Sequence, residues 1–291
     1  MLRLTEQQVS GKVNYINEYL QAQNAADGSK MDANANVTQK NIATLEAELM
    51  KDFFVQVNRK QVSNKIAELF DDDLANEYVR QIEDHEIYVH DETSLKPYCV
   101  SVTMYPFLRD GLTKLGGESL APQHLESFCG TFVNFVFAVS SQFAGAVATV
   151  EFLTYFDYFA RKDYGDDYLT THRHEIENHL QHVVYALNQP AAARGYQSVF
   201  WNISIYDQHY FESMFGDFVF PADFTKPQWH SVSALQDFFL DWFNKEREKT
   251  ILTFPVVTVA MLTDDGQCKD QAFAKKMAAE LAQGNSFFIY L

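Results

Sequence analysis

Three runs, Val199 to Ile205, Leu252 to Met261 and Ser286 to Leu291, are nearly continuous in apolar residues, with helical periodicity between the second and each of the others. A strand that is apolar at consecutive positions is one buried on both faces, and such strands alternating with helices signal crossover connections and a parallel sheet. Two shorter runs upstream, Ile87 to His90 and Tyr98 to Thr103, bring the candidate strands to five. Helices are expected at about 122 to 160, 168 to 188, 231 to 248 and 270 to 283. Leu235, Phe238, Phe239, Trp242 and Phe243 form one stripe of the third of these, a spacing that belongs to core packing.

Upstream of about residue 84 the pattern is different. The first 30 residues are polar and lead through Asp27-Gly28 into a turn-rich stretch, Asp32 to Val37, whose Asn and Asp side chains compete with helix formation. Ile42, Leu45, Leu49 and Phe53, then Val62, Ile66 and Leu69, then Leu74, Tyr78 and Ile82 recur at helical spacing, which predicts an antiparallel helical layer. The domain expectation is therefore a helical region over 1–84 and an α/β region over 85–291.

The charge restricts partners. With 39 acidic against 23 basic side chains the net charge is −16, and a field of that sign repels a phosphate backbone, so polynucleotide binding is not expected. Cys99, Cys129 and Cys268 are well separated and lack zinc or disulfide spacing, which fits a reducing cytoplasm, and the first residues carry no secretory signal. Ser127 to Val150 is a 24-residue run without a charged side chain, longer than the roughly 20 residues that span a bilayer. Asn134, Ser140, Ser141 and Gln142 near its middle and Glu126 and Glu151 at its flanks favour a buried helix over a membrane span.

Several motifs invite chemistry. His172, His174, His179 and His182 cluster between residues 171 and 182, but His174 and His179 are five apart, not the four of a metal-binding HExxH helix, so an exposed polar face is the better reading. Asp71-Asp72-Asp73 falls where one helix should end and the next begin, a place for capping. Neither of the two common glycine-rich phosphate loops is present. Pro122 could open the long apolar helix at its first position and leave free amides for an anion, with Lys114 nearby, or could be a plain helix start. In Tyr98-Cys99-Val100-Ser101-Val102 the alternation puts Cys99 on the face of Ser101, away from the valines; the thiol is either a small hydrophobe or a redox group.

Taken in order, further segments resemble the large catalytic chain of anaerobic, class III, ribonucleoside-triphosphate reductases. They are Asp32 to Val37, Tyr88-Val89-His90-Asp91 leading to Tyr98-Cys99, Gln142 to Ala146, Ala186 to Pro190, Gly195 to Ser198 running into Trp201-Asn202-Ile203-Ser204, and Leu252 to Thr258. The resemblance implies the first half of a ten-stranded α/β barrel preceded by the helical layer. It implies glycyl-radical reduction of ribonucleoside triphosphates, with Cys99 as the thiol on the first barrel strand that faces the substrate and takes part in its reduction.

The same resemblance implies that the thiyl-radical loop, the glycyl radical and the zinc cysteines lie beyond Leu291, so that the chain works with a carboxyl-terminal half. The radical would be installed by a radical-SAM activase carrying a 4Fe-4S cluster. A homodimer with deoxynucleotide or ATP effectors is implied too, the effector region being similar over Lys114, Gln123 and Asn134, where Gln123 replaces a residue that is basic in some members. An amino-terminal ATP-binding regulatory domain is not expected. The competing readings are a non-catalytic nucleotide-binding or assembly module derived from such an enzyme, and another glycyl-radical enzyme acting on a carbon substrate.

Overall fold

The structure, a computed structural model, describes residues 4–21, 42–90, 92–113, 118–190, 198–285 and 287–291. They fall into two compact units, one ending at Tyr98 and one starting at Cys99. The Asn-rich stretch 32–37, Asp91, Lys114 and Gly195 to Gln197 lie outside the described residues.

The first unit is helical: α1 (Glu6–Gln21), α2 (Ile42–Leu69) and α3 (Asp72–Glu83). α1 is not foreseen in the sequence, where the first 30 residues are read as polar; Val9, Val13, Ile16 and Leu20 are too few to stand out, and none of its side chains is buried. The two apolar groups expected between 42 and 69 belong to one 28-residue helix. Asp71 caps α3 as expected, its carboxylate accepting from the Leu74 amide at 2.7 Å. Beyond α3 the chain is pinned to α2: the Asn58 amide donates to the carbonyls of Glu92 and Ser94, each at 2.7 Å, and Arg59 pairs with Glu92 at 2.8 Å. Ile87 to His90 is not a strand, and Tyr88 is 83% exposed. The Ile87 amide donates instead to the Gln81 carbonyl at 3.3 Å, which ties the run to the end of α3.

The second unit runs β1 (Val100–Ser101), α4 (Tyr105–Asp110), α5 (Leu125–Ser140), β2 (Val147–Ala148), α6 (Phe152–Tyr164), α7 (Tyr168–Thr171), α8 (Arg173–Leu187), β3 (Trp201–Tyr206), α9 (Gln208–Phe215), α10 (Trp229–Lys249), β4 (Val256–Ala260), β5 (Thr263–Asp264), β6 (Gln267–Cys268), α11 (Gln271–Ala282) and β7 (Phe287–Tyr290). Five strands form one parallel sheet in the order β1-β2-β3-β4-β7, and β5 and β6 make a small antiparallel hairpin.

The single helix expected over 122–160 is two helices with a strand between them. The hydroxyls of Ser140 and Ser141 bond back to the carbonyls of Phe137 and Ala138 at 3.0 and 2.7 Å, using up the last acceptors of α5, and the chain then turns into β2. No helix among the described residues is long and apolar enough to cross a membrane.

A strand order that follows chain order in one direction has a direct consequence. Right-handed crossovers that always step the same way put their helices on the same face of the sheet. Trp201, Ile203, Ile205, Val257 and Val259 are buried on that face in a core with Phe128 and Phe132 of α5, Phe152 and Phe156 of α6, Leu180 and Val184 of α8 and Phe239 and Phe243 of α10. Trp201 stands edge-on to Phe152, ring centres 5.1 Å apart. The opposite face carries Ser101, Ala148, Asn202, Ser204, Val256 and Thr258. Burial on both faces, expected for the last strand, does not hold: Phe288, Ile289 and Tyr290 are 56%, 46% and 63% exposed because β7 is an edge strand with only β4 beside it.

Candidate active site on the bare sheet face

Cys99 stands at the start of β1, exposed, and its sulfur accepts the Ala146 N–H at 3.2 Å. The neighbouring valines Val100 and Val102 pack against the core, so the alternation read from the sequence puts the thiol and Ser101 on the bare face. The ladder itself continues on either side of that contact, with the Val100 amide donating to the Ala146 carbonyl and the Val102 amide to the Ala148 carbonyl, each at 2.9 Å. Two segments distant in sequence, Tyr98-Cys99 and Gln142 to Ala146, therefore meet at one sulfur atom.

Across β2 from Cys99 the face is polar again. The Asn202 amide donates to Thr258 Oγ1 at 3.0 Å, and the Thr258 hydroxyl donates back to Asn202 Oδ1 at 3.2 Å. Neither residue was given a role from the sequence, although Asn202 and Ser204 interrupt the otherwise apolar β3 at alternate positions.

The carboxyl ends of the strands hold two buried carboxylates, Glu151 and Asp207. Glu151 accepts from the Met104 amide at 2.6 Å and the Thr103 hydroxyl at 2.9 Å; burial pushes its pKa up against these two hydrogen bonds. Asp207 accepts from the Tyr210 amide at 2.6 Å and the Leu262 amide at 3.0 Å, capping α9 and holding the end of β4. Both are occupied by backbone donors, which makes them struts of the scaffold.

The helix start at Pro122 differs from expectation. α5 begins at Leu125, and its N-terminal donors have partners within the chain: the Leu125 amide donates to Asp163 at 2.7 Å, His124 Nδ1 lies 2.9 Å from the same carboxylate, and the amides of Gln123 and His124 donate to the Ser127 hydroxyl at 3.2 and 3.1 Å. Asp163 fills the place an anion would take. Gln123 and Asn134 are both exposed, but lie roughly 16 Å apart along the helix axis, so they do not converge on one point.

The histidine cluster is not uniformly exposed: His172 stacks on Tyr164 at 4.8 Å, and His179 is half-buried 3.2 Å from the Tyr164 hydroxyl, with its pKa lowered chiefly by burial. Among the described residues no three His, Cys, Asp or Glu side chains come together as metal ligands.

The family model for anaerobic ribonucleoside-triphosphate reductase matches residues 46–290. The anaerobic ribonucleotide reductase from Thermotoga maritima, with citrate in its active site, superposes with a TM-score of 0.77 at 26% identity over 97% of this chain and 49% of that one. Another anaerobic ribonucleotide reductase gives a TM-score of 0.78 at 28% identity, over 97% of this chain and 44% of that one. The Thermotoga enzyme in complex with dATP and CTP, 24% identical with a TM-score of 0.75, shares the fold. No curated protein matches the chain. The chain spans about half the length of the solved relatives it matches. It belongs to the anaerobic ribonucleoside-triphosphate reductase family.

Proposed function

We propose that this chain supplies the first five strands of a ten-stranded α/β barrel, over residues 85–291, preceded in sequence by a helical region over residues 1–84, in a cytoplasmic enzyme that reduces ribonucleoside triphosphates to 2′-deoxyribonucleoside triphosphates. The observation that carries the reading is Cys99, an exposed thiol held by the Ala146 N–H on the sheet face opposite the main hydrophobic core. A parallel sheet is ordinarily covered on both sides, and a second set of strands closing over this face would make it a barrel interior.

In that interior the C2′–OH of the ribose is replaced by C2′–H and the oxygen leaves as water, a change that takes two electrons and two protons. The Cys99 thiol is the group that delivers hydrogen to the sugar from this half. The electrons are replenished in each turnover by an external reductant, formate or a thioredoxin-like protein. The initiating radical is supplied by a glycine of the carboxyl-terminal half, installed by a radical-SAM activase with a 4Fe-4S cluster. The family resemblance assigns the zinc to that other half as well. Effector nucleotides, dATP among them as in the Thermotoga enzyme, are assigned to a homodimer interface that includes Lys114, Gln123 and Asn134. Since Asp163 already occupies the start of α5, effector phosphates are held by side chains and not by that helix end.

The test is anaerobic turnover of CTP by this chain mixed with a carboxyl-terminal half, the activase, S-adenosylmethionine and a reductant. Formation of dCTP that needs every component supports the reading. A folded, radical-loaded complex that binds nucleotide without turnover contradicts it and favours a non-catalytic assembly module.

A further inference from the structure

One side of the α1–α2 hairpin is apolar and exposed. The two helices run antiparallel: Leu4 and Gln8 share a cleft of about 530 Å³ with Phe53 and Gln56, and farther along Lys12 Nζ donates to the Leu49 carbonyl. α1 turns Gln8, Lys12 and Tyr15 toward this cleft. An amphipathic helix ordinarily presents its apolar stripe to its neighbour, yet Val9 and Val13 are 47% and 48% exposed and Ile16 only half-buried.

With about 100° between successive residues, Val9, Val13 and Ile16 centre about 100° from the edge of α1 that meets α2. On α2, Ile42, Leu49 and Phe53 centre about 100° from Glu48 and Asp52, in the same sense. Offsets of one sense on antiparallel helices bring both stripes to one side of the hairpin. Ile42 is 65% and Phe53 41% exposed, so the apolar surface continues across both helices with the cleft between them.

Two parallel apolar rows with a groove between them suit a third helix. Its flanks are set by charge. Glu6 and Glu46 border the face and are exposed, whereas Lys12 is held by the Leu49 carbonyl and Lys51 pairs with Glu48 at 3.1 Å. Lys60, the next cation on that side of α2, lies about 10 Å beyond Phe53. A second copy fits poorly, because it would set these carboxylates against themselves and join two chains of net charge −16. The face also spans only about 24 by 20 Å, roughly 500 Å², below the ~800 Å² per partner of a stable dimer.

We propose that the α1–α2 face is a docking site for an amphipathic helix of another polypeptide, one with apolar side chains at three- and four-residue spacing and lysine or arginine on its flanks. The apolar row fills the groove, and the basic flanks meet Glu6 and Glu46.

The experiment titrates the full chain into two labelled synthetic helices of about 18 residues, followed by fluorescence anisotropy. They share one leucine stripe and differ in carrying lysine or glutamate on the flanks. The lysine helix should bind at least about tenfold more tightly, an advantage that shrinks as salt is raised. Val13→Asp and Ile42→Asp, both at exposed positions, should each weaken its binding about tenfold or more with circular dichroism unchanged. Ile251→Asp, at an exposed apolar position of the other unit, should not. Equal binding of the two helices, binding that survives both Val13→Asp and Ile42→Asp, or no binding of either helix to the wild-type chain overturns the proposal. Sedimentation should show no dimer that depends on this face, and a dimer lost in Val13→Asp overturns the proposal in favour of a second copy.

Discussion

Asn188 holds Phe254 from two sides: its side-chain N–H donates to the Phe254 carbonyl at 2.6 Å, and its oxygen accepts the Phe254 amide at 3.1 Å. The same oxygen accepts the Thr253 amide at 3.0 Å, and the Asn188 carbonyl accepts the Ser198 hydroxyl at 2.9 Å. The Asn188 side chain thus ties the end of α8 to the segment that leads into β4, and its backbone carbonyl ties it to the segment that leads into β3. Asn188→Ala leaves buried backbone groups without partners, each worth about 1–3 kcal/mol. Urea denaturation should show a loss of about 3 kcal/mol, and a loss below about 1 kcal/mol would mean that other groups take over these bonds.

At Gly111 the chain closes α4 with φ +77°, and a Cβ built there would stand 1.9 Å from the Ser119 carbonyl oxygen. The obstacle is backbone, held by the Leu112–Ser119 bridge. Gly111→Ala combines a left-handed strain of about 1 kcal/mol or more with a clash that no rotamer relieves. A fall in melting temperature of several degrees is expected. An unchanged melting temperature would show that the 112–119 bridge is dispensable.

Asp157 is buried between the Tyr168 hydroxyl at 2.7 Å and the Ser231 hydroxyl at 2.5 Å. Burial raises its pKa above the ordinary 3.8, and the hydrogen bonds from Ser231 and Tyr168 only partly oppose the shift. A carboxyl that binds its proton more tightly when folded contributes stability that is complete below the unfolded value and declines as pH rises through the folded one. Asp157→Asn removes this decline and can still accept both hydroxyls. The stability of Asp157→Asn minus that of wild type, followed by denaturation from pH 4 upward, should increase with pH and then level. A flat difference would contradict the shift, and a falling one would reverse its sign.

His179 acts with the opposite sign. Its pKa is lowered, mainly by burial, so the folded state resists protonation and stability is lost as pH falls below about 6.5. His179→Gln should flatten that acid limb. The measurement is again denaturation against pH, and an unchanged limb would mean that the imidazole is solvated.

How far the fold could be read from the chain depended on how much pairing each element has. β3, β4 and β7 were legible as apolar runs and α10 and α11 as periodic stripes, because each packs along several turns or pairs. β2 was hidden: two residues long, it sits in the uncharged run from Ser127 to Val150 and is marked by no change in composition. The β5–β6 hairpin has its signal in Asp265-Gly266, both at positive φ, and went unread because its strands are two residues each. On the bare face the parity of Cys99 could be read from its valine neighbours, whereas the partnership of Asn202 with Thr258 depends on the β3–β4 register, which one strand alone does not reveal.

The central claim, that the Cys99 thiol works on the substrate, is tested most directly by comparing wild type, Cys99→Ser and Cys99→Ala in the assembled and activated enzyme under anaerobic conditions, measuring dCTP formed per glycyl radical. Among the described residues the Cys99 side chain is exposed and accepts one hydrogen bond, from Ala146, so the variants should fold, assemble and take up the radical as wild type does. The account predicts that both then lose at least about a thousandfold in turnover, in line with removal of a group that reacts. Turnover within tenfold of wild type in either variant would contradict it and place the reducing thiol elsewhere.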